Sequence, residues 1–558
     1  MTATVAQAVA QTLAAYGTKH YFCLTGGDHD LWLALDEAGI GIVNCRSEAA
    51  ATYMADGYAR VSGAPGFVYG QRGPGAANVA AALADAFWAL SPVVSLTTSI
   101  ALPTRDRFQY QEVDTLPMHA PVTVWNKSLS SPERAGDMVR AAIRAATGLV
   151  PGPVHLEIPA DLLAKPSTST TAFRDEGVGS VGSVRTAPDE ERVSQLVDRL
   201  LSATRPLILC GNGTIISGAW DEVEQLSTRL GIPVATTLGG KGSIDERSPR
   251  AVGVVGRYSR RVANEVVGDC DTVLALGTRL GGLATSGWQL PFSDKKIIQV
   301  DADPNVLGHN YRTELSVLGD VRQTLRRVLS ELEGRDAPRG WQAWSGQVAE
   351  RVSVWQEHAS RLTEERPDDG MHPASVVHHL RAIMTDEDLL VADTGAIGAW
   401  AGTLFPVAAG RTFLRSAGSL GWALPGALGA ALADPSRRTV CLVGDGGLMY
   451  HLGELETAMR LDIPIVVVVL NNMAFASEYH LLKYLWKREL PAVTDFNDVD
   501  LAAVAAGFGA HGLRVDAPSE LADTFDEAFA RRGPVLIDAR ISREAVAPAA
   551  PFRGDSPV

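Results

Sequence analysis

Two polar segments that follow apolar runs contain the residue types needed to bind a metal ion and a phosphate. Asp445 lies within a Gly-Asp-Gly-Gly segment that follows the run Val440–Val443, and Asn472 closes an Asn-Asn pair that follows Ile465–Leu470. Carboxylate and amide oxygens are hard ligands that suit octahedral Mg²⁺, which keeps positions open for phosphate oxygens. Glycines let backbone N–H groups approach a phosphate closely. The pattern predicts a Mg²⁺–phosphate site, although an ordinary turn and a buried strand end would carry the same residues.

These side chains can converge only if the two apolar runs are neighbouring parallel strands, whose carboxyl ends lie at one edge of a sheet. Short apolar runs alternate with helical stretches along the whole chain, which predicts an α/β protein with three doubly wound parallel-sheet domains. The predicted domains are residues 1–164, 192–334 and 374–541. A Ser/Thr/Gly/Pro-rich linker and a charged connector separate them. The predicted strands are Tyr21–Leu24, Gly41–Asn44, Gly66–Tyr69, Val93–Thr97, Pro206–Cys210, Pro233–Thr236, Thr272–Leu276, Lys296–Val300, Leu389–Ala392, Val440–Val443, Ile465–Leu470 and Val535–Asp538.

Composition narrows the class of partner. The 558 residues carry a formal net charge of −14, which argues against nucleic acid or an anionic membrane as the main partner. No apolar run reaches the ~18 residues of a membrane helix, and the N-terminus lacks the basic start of a signal peptide. Five cysteines without a Cys-x-x-Cys pair predict buried, reduced thiols. We therefore expect a soluble cytoplasmic protein.

The segment from Asp445 to Asn472 resembles the thiamine diphosphate (ThDP) motif, in which Gly-Asp-Gly precedes Asn-Asn by about two dozen residues or more. The resemblance implies ThDP and Mg²⁺ as cofactors, with Asp445, Asn472 and the backbone carbonyl of Ala474 as metal ligands. It also implies that Gly418 accepts a hydrogen bond from the aminopyrimidine and that Leu420 props the cofactor into its bent shape. The implied cofactor contacts are Glu48, Thr394, Gly395, Ala396, Gly418, Leu420, Gly444, Asp445, Gly446, Gly447 and Asn472.

Glu48 is the predicted proton-relay residue. The segment Ile42–Arg60, with its Met-Ala-Asp-Gly-Tyr-Ala-Arg ending, resembles the family segment whose Glu activates the aminopyrimidine ring. A Glu that opens a helix can equally serve the helix dipole, which is the alternative role for Glu48. Ser47 stands where many relatives have His. In this family the two cofactor-binding domains meet across a subunit interface, so the resemblance implies a homodimer or a homotetramer.

Further segments place the chain in the superfamily of acetolactate synthases and 2-oxo acid decarboxylases, including benzoylformate decarboxylase. The resemblance covers nearly the whole chain and implies a pyrimidine-binding, a Rossmann-like middle and a diphosphate-binding domain. It rests on Gly70–Asn78, Phe108–Asp114, Pro151–Pro159 and Gly418–Pro425. Gln71 falls where benzoylformate decarboxylase has a catalytic His. Because an amide cannot shuttle a proton, Gln71 would only orient the substrate.

Other substrate-facing candidates follow from the same resemblance. Asp28 is a candidate proton donor or acceptor, with His29 second, and a helix N-cap is the alternative role for Asp28. The remaining candidates are Arg72, Arg105 and Arg107 as carboxylate ligands, and Phe475, Glu478 and His480 as pocket residues. Some relatives bind FAD in the middle domain. The Gly211–Gly213 pattern matches that fingerprint only partly, so FAD is possible but not predicted.

The expected function is a ThDP- and Mg²⁺-dependent enzyme that makes or breaks the carbon–carbon bond beside a carbonyl. A carboligase of the acetolactate synthase type or a decarboxylase of 2-oxo acids is favoured, with a 2-oxo acid or an aldehyde as substrate. A lyase or decarboxylase of acyl-CoA is the alternative. A non-catalytic subunit is disfavoured because Glu48 and the predicted metal pair are all present.

Overall fold

Three parallel six-stranded sheets form the framework of the protein, as a computed structural model describes it over residues 3–167 and 173–549. The predicted fold class, three α/β domains, is therefore confirmed. The strands are β1 His20–Cys23, β2 Gly41–Asn44, β3 Gly66–Gly70, β4 Val93–Ser99, β5 Trp125–Ser128, β6 Val154–Pro159, β7 Pro206–Cys210, β8 Val234–Thr236, β9 Ala251–Val254, β10 Thr272–Leu276, β11 Lys296–Asp301, β12 Leu315–Leu318, β13 Leu389–Ala392, β14 Phe413–Arg415, β15 Thr439–Gly444, β16 Val466–Asn471, β17 His511–Val515 and β18 Val535–Arg540.

Helices connect the strands, as parallel pairing requires. They are α1 Val5–Ala15, α2 His29–Glu37, α3 Glu48–Ser62, α4 Pro74–Ala89, α5 Thr115–His119, α6 Ala135–Ala146, α7 Glu190–Leu201, α8 Asn212–Ser217, α9 Trp220–Leu230, α10 Arg261–Asp269, α11 Val321–Glu331, α12 Trp341–Leu362, α13 Pro373–Ile383, α14 Ala396–Leu404, α15 Ala423–Ala433, α16 Asp445–Tyr450, α17 Glu454–Arg460, α18 Ala476–His480, α19 Pro491–Thr494, α20 Leu501–Gly507 and α21 Leu521–Ala530. A π-helical turn, Leu481–Leu485, extends α18.

The first and third sheets share one strand order, the middle sheet has another, and each order fixes where its sheet has its crevice. The orders are β2-β1-β3-β4-β6-β5, β12-β11-β10-β7-β8-β9 and β14-β13-β15-β16-β18-β17. The direction of winding reverses between β1 and β3, between β7 and β10, and between β13 and β15. In open α/β sheets, ligands bind at the carboxyl ends of the strands beside such a reversal.

The central strands read as apolar runs because helices cover both faces of each sheet. All six residues of β16 are buried, and β15 is buried up to Gly444. Six strands are absent from the sequence prediction, namely β5, β6, β9, β12, β14 and β17. Five of these lie at sheet edges, and the sixth, β6, carries His155 and Glu157 in its fully buried interior.

The chain divides into two compact units. The first comprises Met1–Val184, Ser416–Thr439 and Met449–Ile465, and the second comprises Arg185–Arg415, Val440–Leu448 and Val466–Val558. Helices α15 and α17 therefore pack within the first unit although the sequence prediction assigns their residues to the third domain. The domain bounds given above stay a prediction.

Two predictions from composition can be compared with the structure. All five cysteines are buried and free, and burial raises the pKa of each thiol. Within residues 3–167 and 173–549, no helix combines the length and the apolar content that crossing a bilayer requires.

Candidate active site

Asp445 lies at the carboxyl edge of the third sheet. The residue before it, Gly444, is paired with Leu470, so the ends of β15 and β16 lie side by side. The Asp445 carboxyl is buried, and its Oδ2 has no hydrogen-bond partner among the described residues. Burial raises the pKa of Asp445 to about 7, against the opposing effect of backbone N–H groups that include that of Ala474. An unpartnered carboxylate oxygen at a sheet edge fits a bound cation.

The two asparagines at the end of β16 have different partners. The Asn471 amide donates to Asp538 Oδ1 (2.8 Å), and its oxygen accepts from the backbone of Met473 (3.1 Å). Asn472 is equally buried, yet its side chain takes part in none of the hydrogen bonds found among the described residues. Of the pair, Asn472 therefore has the side chain available for a ligand, as predicted for the metal site.

The segment after Asn472 is held in an unusual conformation. Met473 has φ 55°, a left-handed backbone that side-chain-bearing residues rarely adopt. Phe496 donates its backbone N–H to Met473 O (2.8 Å), and Ala474 forms an isolated bridge with Asp495. Such conformations persist where neighbouring structure enforces them, often at functional sites. The contacts with Asp495 and Phe496 thus hold the backbone at Ala474, whose carbonyl is the third predicted metal ligand.

Gly395 lies beside this edge, where β13 ends next to β15. It has φ 69° and precedes α14, and a Cβ placed on it would lie 3.4 Å from Ser477 Oγ. A Cβ on Gly444 would contact Ile397 at 3.6 Å. The structure therefore brings the predicted diphosphate segment Thr394–Ala396 to the same edge as Gly444 and adds Ser477, which sequence reasoning missed. A polar residue one turn after the Asn-Asn pair was the available signal.

Glu48 lies at the carboxyl edge of the first sheet. It opens α3, is 9% exposed, and its Oε2 accepts a hydrogen bond from Asn78 Nδ2 (3.1 Å). A Cβ on Gly75 would lie 2.9 Å from Glu48 Oε1, so a larger residue there would displace this carboxyl from its position. The side chain therefore faces the start of α4. Asn78 belongs to the Gly70–Asn78 segment that resembles the family, but it is not among the predicted site residues.

The loop that presents Glu48 is held by two contacts. Glu454 Oε1 accepts from the backbone N–H of Arg46 (2.8 Å), and burial raises the pKa of Glu454. Ser47 Oγ accepts from the N–H of Ala50 (3.1 Å) and caps α3. Ser47, which stands where many relatives have His, thus has a structural role as an N-cap.

The crevice between β1 and β3 brings together two other predicted residues. A Cβ on Gly26 would lie 2.7 Å from Gln71 Oε1, so the Gln71 side chain lies against the loop that leads to Asp28. Asp28 precedes α2 but makes no capping hydrogen bond. Its Oδ2 accepts from Thr98 Oγ1 (2.7 Å) and from the Tyr69 hydroxyl. Asp28 thus occupies the N-cap position of α2, but its carboxyl is engaged by hydroxyl groups from β3 and β4 rather than by the helix N–H groups.

Several predicted residues lie apart from these clusters. His29 is exposed, and no hydrogen bond or ring contact among the described residues uses its side chain. Arg105 pairs with Glu157 (3.1 Å), so this guanidinium already has a carboxylate partner. His480 contacts the carbonyl of Arg543 (2.9 Å), and burial lowers its pKa. The Nε of Arg72 is buried and has no hydrogen-bond partner in the described chain. The ring of Phe475 packs against Phe496, and Glu478 and Arg107 are exposed.

The glycines of the middle sheet serve close packing. A Cβ on Gly211 would lie 2.3 Å from Gly277 O, and Gly213 donates its N–H to the same carbonyl (2.9 Å). The backbone segments that follow β7 and β10 are thus in direct contact at the crevice between these strands. This packing gives a structural reason for the Gly-x-Gly pattern that was weighed as part of an FAD fingerprint.

Three family models match the chain in order. They are the N-terminal TPP binding domain (residues 3–118), the central domain (193–328) and the C-terminal TPP binding domain (393–539) of thiamine pyrophosphate enzymes. Three parallel six-stranded sheets, a cation-compatible edge and these matches define the class: the chain belongs to the thiamine pyrophosphate, or ThDP, enzymes.

Curated relatives align along most of the chain. A probable 2-ketoarginine decarboxylase of Pseudomonas aeruginosa is 33% identical over 85% of this chain and 83% of its own length. A probable acetolactate synthase large subunit of Methanocaldococcus jannaschii is 29% identical over 98% and 94% of the two chains. A sulfoacetaldehyde acetyltransferase of Castellaniella defragrans is 29% identical over 99% and 95%. The recognition of a ThDP-dependent enzyme in the acetolactate synthase and decarboxylase superfamily is confirmed.

Proposed function

We propose that this enzyme uses ThDP and Mg²⁺ to break or form the carbon–carbon bond next to the carbonyl of a small 2-oxo acid. The observation that carries the proposal is the buried Asp445 carboxyl, whose Oδ2 has no hydrogen-bond partner among the described residues, beside the unused amide of Asn472 at the edge predicted to hold the cofactor. The relatives are named a synthase, a decarboxylase and an acetyltransferase, which supports a shared reaction on a carbonyl carbon. Decarboxylation and carboligation are both candidate reactions of this enzyme.

The residues present fit the cofactor. Asp445, Asn472 and the carbonyl of Ala474 would hold Mg²⁺, whose remaining positions take diphosphate oxygens. The diphosphate would lie against the backbone of Thr394, Gly395, Ala396, Gly444, Gly446 and Gly447. When bound, ThDP supplies a nucleophilic carbon and an electron sink. Gly418 and Leu420 would contact its pyrimidine end.

Glu48 would exchange a proton with the aminopyrimidine ring. Asn78 donates to Glu48 Oε2 and so fixes the orientation of the carboxyl, which leaves Oε1 as the atom that holds or releases the proton. The burial of Glu48 keeps competing water away from this hydrogen bond. The helix-dipole role would require none of these contacts.

Gln71 and Asp28 would orient the substrate at the crevice of the first sheet. The Gln71 amide can donate to a substrate carboxylate or carbonyl but cannot carry a proton. Asp28 accepts hydrogen bonds from the hydroxyls of Tyr69 and Thr98, which fix the orientation of its carboxyl. Asp28 would therefore be held in place as a proton donor or acceptor towards the substrate.

The active site would need two copies of the chain. In the family, the Glu and the metal-binding loop that share one cofactor come from different subunits, so we propose a homodimer or a homotetramer. The exposed aromatic side chains of Phe108 and Tyr110 in the first unit are apolar surface that a second subunit could cover.

A ligand-binding assay followed by a substrate panel tests the proposal. Saturating ThDP with Mg²⁺ should raise the melting temperature, by mass action, whereas either alone should raise it less. The loaded enzyme is then incubated with 2-oxo acids of differing side chain, with and without an aldehyde or a second 2-oxo acid as acceptor. Mass spectrometry of the products distinguishes decarboxylation from carboligation. No melting shift with ThDP and Mg²⁺ would overturn the proposal.

A further inference from the structure

A buried carboxylate, Asp85 of α4, lies at the centre of the turn that carries Gly418. The backbone N–H groups of Ala417, Gly418 and Ser419 all donate to it, at 2.9, 3.0 and 2.9 Å. The Ser416 hydroxyl donates as well, at 3.0 Å. Three consecutive N–H groups that converge on one anion form a backbone nest, a concavity that binds negative charge.

Asp85 is itself fixed from the other side. Arg60 Nη2 donates to Asp85 Oδ1 (3.0 Å) and also forms a two-pronged pair with Asp56, at 2.8 and 2.6 Å. Trp422, a few residues after the turn, donates its indole N–H to Asp56 Oδ2 (2.9 Å), and its ring lies under the Arg60 guanidinium (4.7 Å). The turn, α3 and α4 are therefore joined by one buried charge network within the first unit.

The network has a stable charge state. Although burial opposes ionisation, Arg60 and the backbone N–H groups hold the pKa of Asp85 below its ordinary value. Charge-assisted hydrogen bonds of this kind are stronger than those between neutral groups. The turn consequently has a rigid anchor even where its own residues, such as Gly418, are exposed.

From this arrangement we infer that Asp85 is a positioning residue for the cofactor: it sets the conformation of the turn that presents Gly418 and Leu420 to the pyrimidine end of ThDP. The inference rests on the proposed function, since it takes Gly418 and Leu420 as cofactor contacts. Neither Asp85 nor Arg60 touches the cofactor in this proposal. They act only through the shape of the turn, in advance of binding.

Asp85→Asn tests the inference, because the amide group keeps the size of the side chain but turns an N–H₂ towards donors that need an acceptor. Hydrogen exchange should show faster exchange of the Ala417, Gly418 and Ser419 amides in the variant. The affinity for ThDP at saturating Mg²⁺ and kcat should each fall about tenfold to a hundredfold, as for a displaced catalytic contact, while KM for the 2-oxo acid changes little. Asp36→Asn, an exposed carboxyl on α2, is the matched control and should leave all these values unchanged.

Ser416→Ala is the second variant, to be used whether or not Asp85→Asn folds. It removes one of the four turn groups that donate to Asp85, together with the bonds of the Ser416 hydroxyl to Ser419 O (2.7 Å) and from the Gly418 N–H (3.1 Å), and leaves the charge network in place. A decrease in ThDP affinity of about threefold is therefore expected. The inference is overturned if the turn amides exchange faster while ThDP affinity and kcat stay at the wild-type level, or if Ser416→Ala leaves ThDP affinity unchanged. Failure of the proposed function would be seen separately, as no binding of ThDP by the wild-type protein.

Discussion

At the scale of single residues, the candidate site is defined by polar groups whose hydrogen-bonding capacity the protein itself leaves unused. Asp445 Oδ2 and the Asn472 amide lie buried at adjacent strand ends, while the neighbouring Asn471 is fully engaged with Asp538. A buried polar atom without a partner costs stability, so its presence indicates a ligand that supplies the missing interaction.

This reasoning predicts the behaviour of Asp445→Asn. Without cofactor, the variant should melt at the same or a higher temperature than the wild type, because it removes a buried carboxyl whose Oδ2 has no hydrogen-bond partner in the described chain, a cost of about 1–3 kcal/mol. With ThDP and Mg²⁺, the stabilisation of the wild type should be lost. Differential scanning fluorimetry measures both effects. Asp462→Asn, at an exposed position with φ 49° that Asn tolerates, serves as control, and retained stabilisation by Mg²⁺ and ThDP in Asp445→Asn would contradict the metal assignment.

A second residue-scale prediction concerns stability in acid. His119 and His155 stack with ring centroids 3.7 Å apart, and burial lowers the pKa of both, with Glu157 partly opposing this for His119. Since the unfolded chain takes up these protons at higher pH than the folded one, stability is lost as pH falls below the unfolded pKa of about 6.5.

The slope should be about 1.4 kcal/mol per pH unit for each histidine that titrates only on unfolding. Denaturant unfolding between pH 7 and pH 5 measures it. His119→Phe keeps the ring stack and leaves His155 hydrogen-bonded to Thr97 and Asn126. The slope should therefore fall by the contribution of one histidine, about 1.4 kcal/mol per pH unit. An unchanged slope in His119→Phe would show that His119 is protonated in the folded protein.

At the scale of elements, helices α3 and α15 are packed at the distance that glycine permits. A Cβ on Gly57 would lie 1.9 Å from Gly426 O, and one on Gly429 would lie 1.9 Å from Met54 O. Because α3 carries Glu48 and α15 follows the turn held by Asp85, this contact sets the position of two elements that the proposed site needs. The helix period of the sequence predicts α3, but only the packing explains why glycines occur in mid-helix.

Gly57→Ala should therefore destabilise the first unit by about 1–3 kcal/mol or more, since the added methyl meets backbone that cannot rotate away. Gly346→Ala in α12 is the matched control: its Cβ would meet nothing within 4 Å, so about 0.5–1 kcal/mol of stabilisation is expected from helix propensity. Chemical denaturation compares the two. Equal effects of the two substitutions would contradict the role of the close helix contact.

At the scale of the whole molecule, the proposed site combines Glu48 of one subunit with Asp445 of another. Glu48→Gln and Asp445→Asn should each be inactive as pure proteins, with losses of about a hundredfold or more. If two variants are unfolded, mixed and refolded, random pairing makes half of the dimers mixed. Each mixed dimer then has one site with both residues intact, so about a quarter of the wild-type activity should return.

The recovered activity separates the two arrangements of the site. A site built within one chain would leave every chain with one defect, and no activity would return. Asp523→Asn, which removes an exposed first-turn carboxyl on α21, controls for the loss of a helix-dipole charge and should retain full activity both alone and after refolding.

The sequence by itself determined the α/β class, the central strands and the ThDP motif, because strands buried on both faces need unbroken apolar runs and metal ligands need particular atoms at strand ends. The edge strand β17 was missed because its partial exposure removes the apolar signal, and β14 because it is only three residues long. Strand β6 was missed because its buried His155 and Glu157 interrupt the apolar run.

Only the tertiary structure decided which polar groups meet. Asn78 lies on Glu48, the hydroxyls of Tyr69 and Thr98 lie on Asp28, and Asp85 lies inside a turn more than 300 residues further along the chain. Such pairings depend on packing between distant elements, and nothing in the local sequence of Asp85 or Asn78 distinguishes them from ordinary residues of a surface helix. Local physics thus fixes elements and ligand types, whereas long-range packing fixes which side chains share a site.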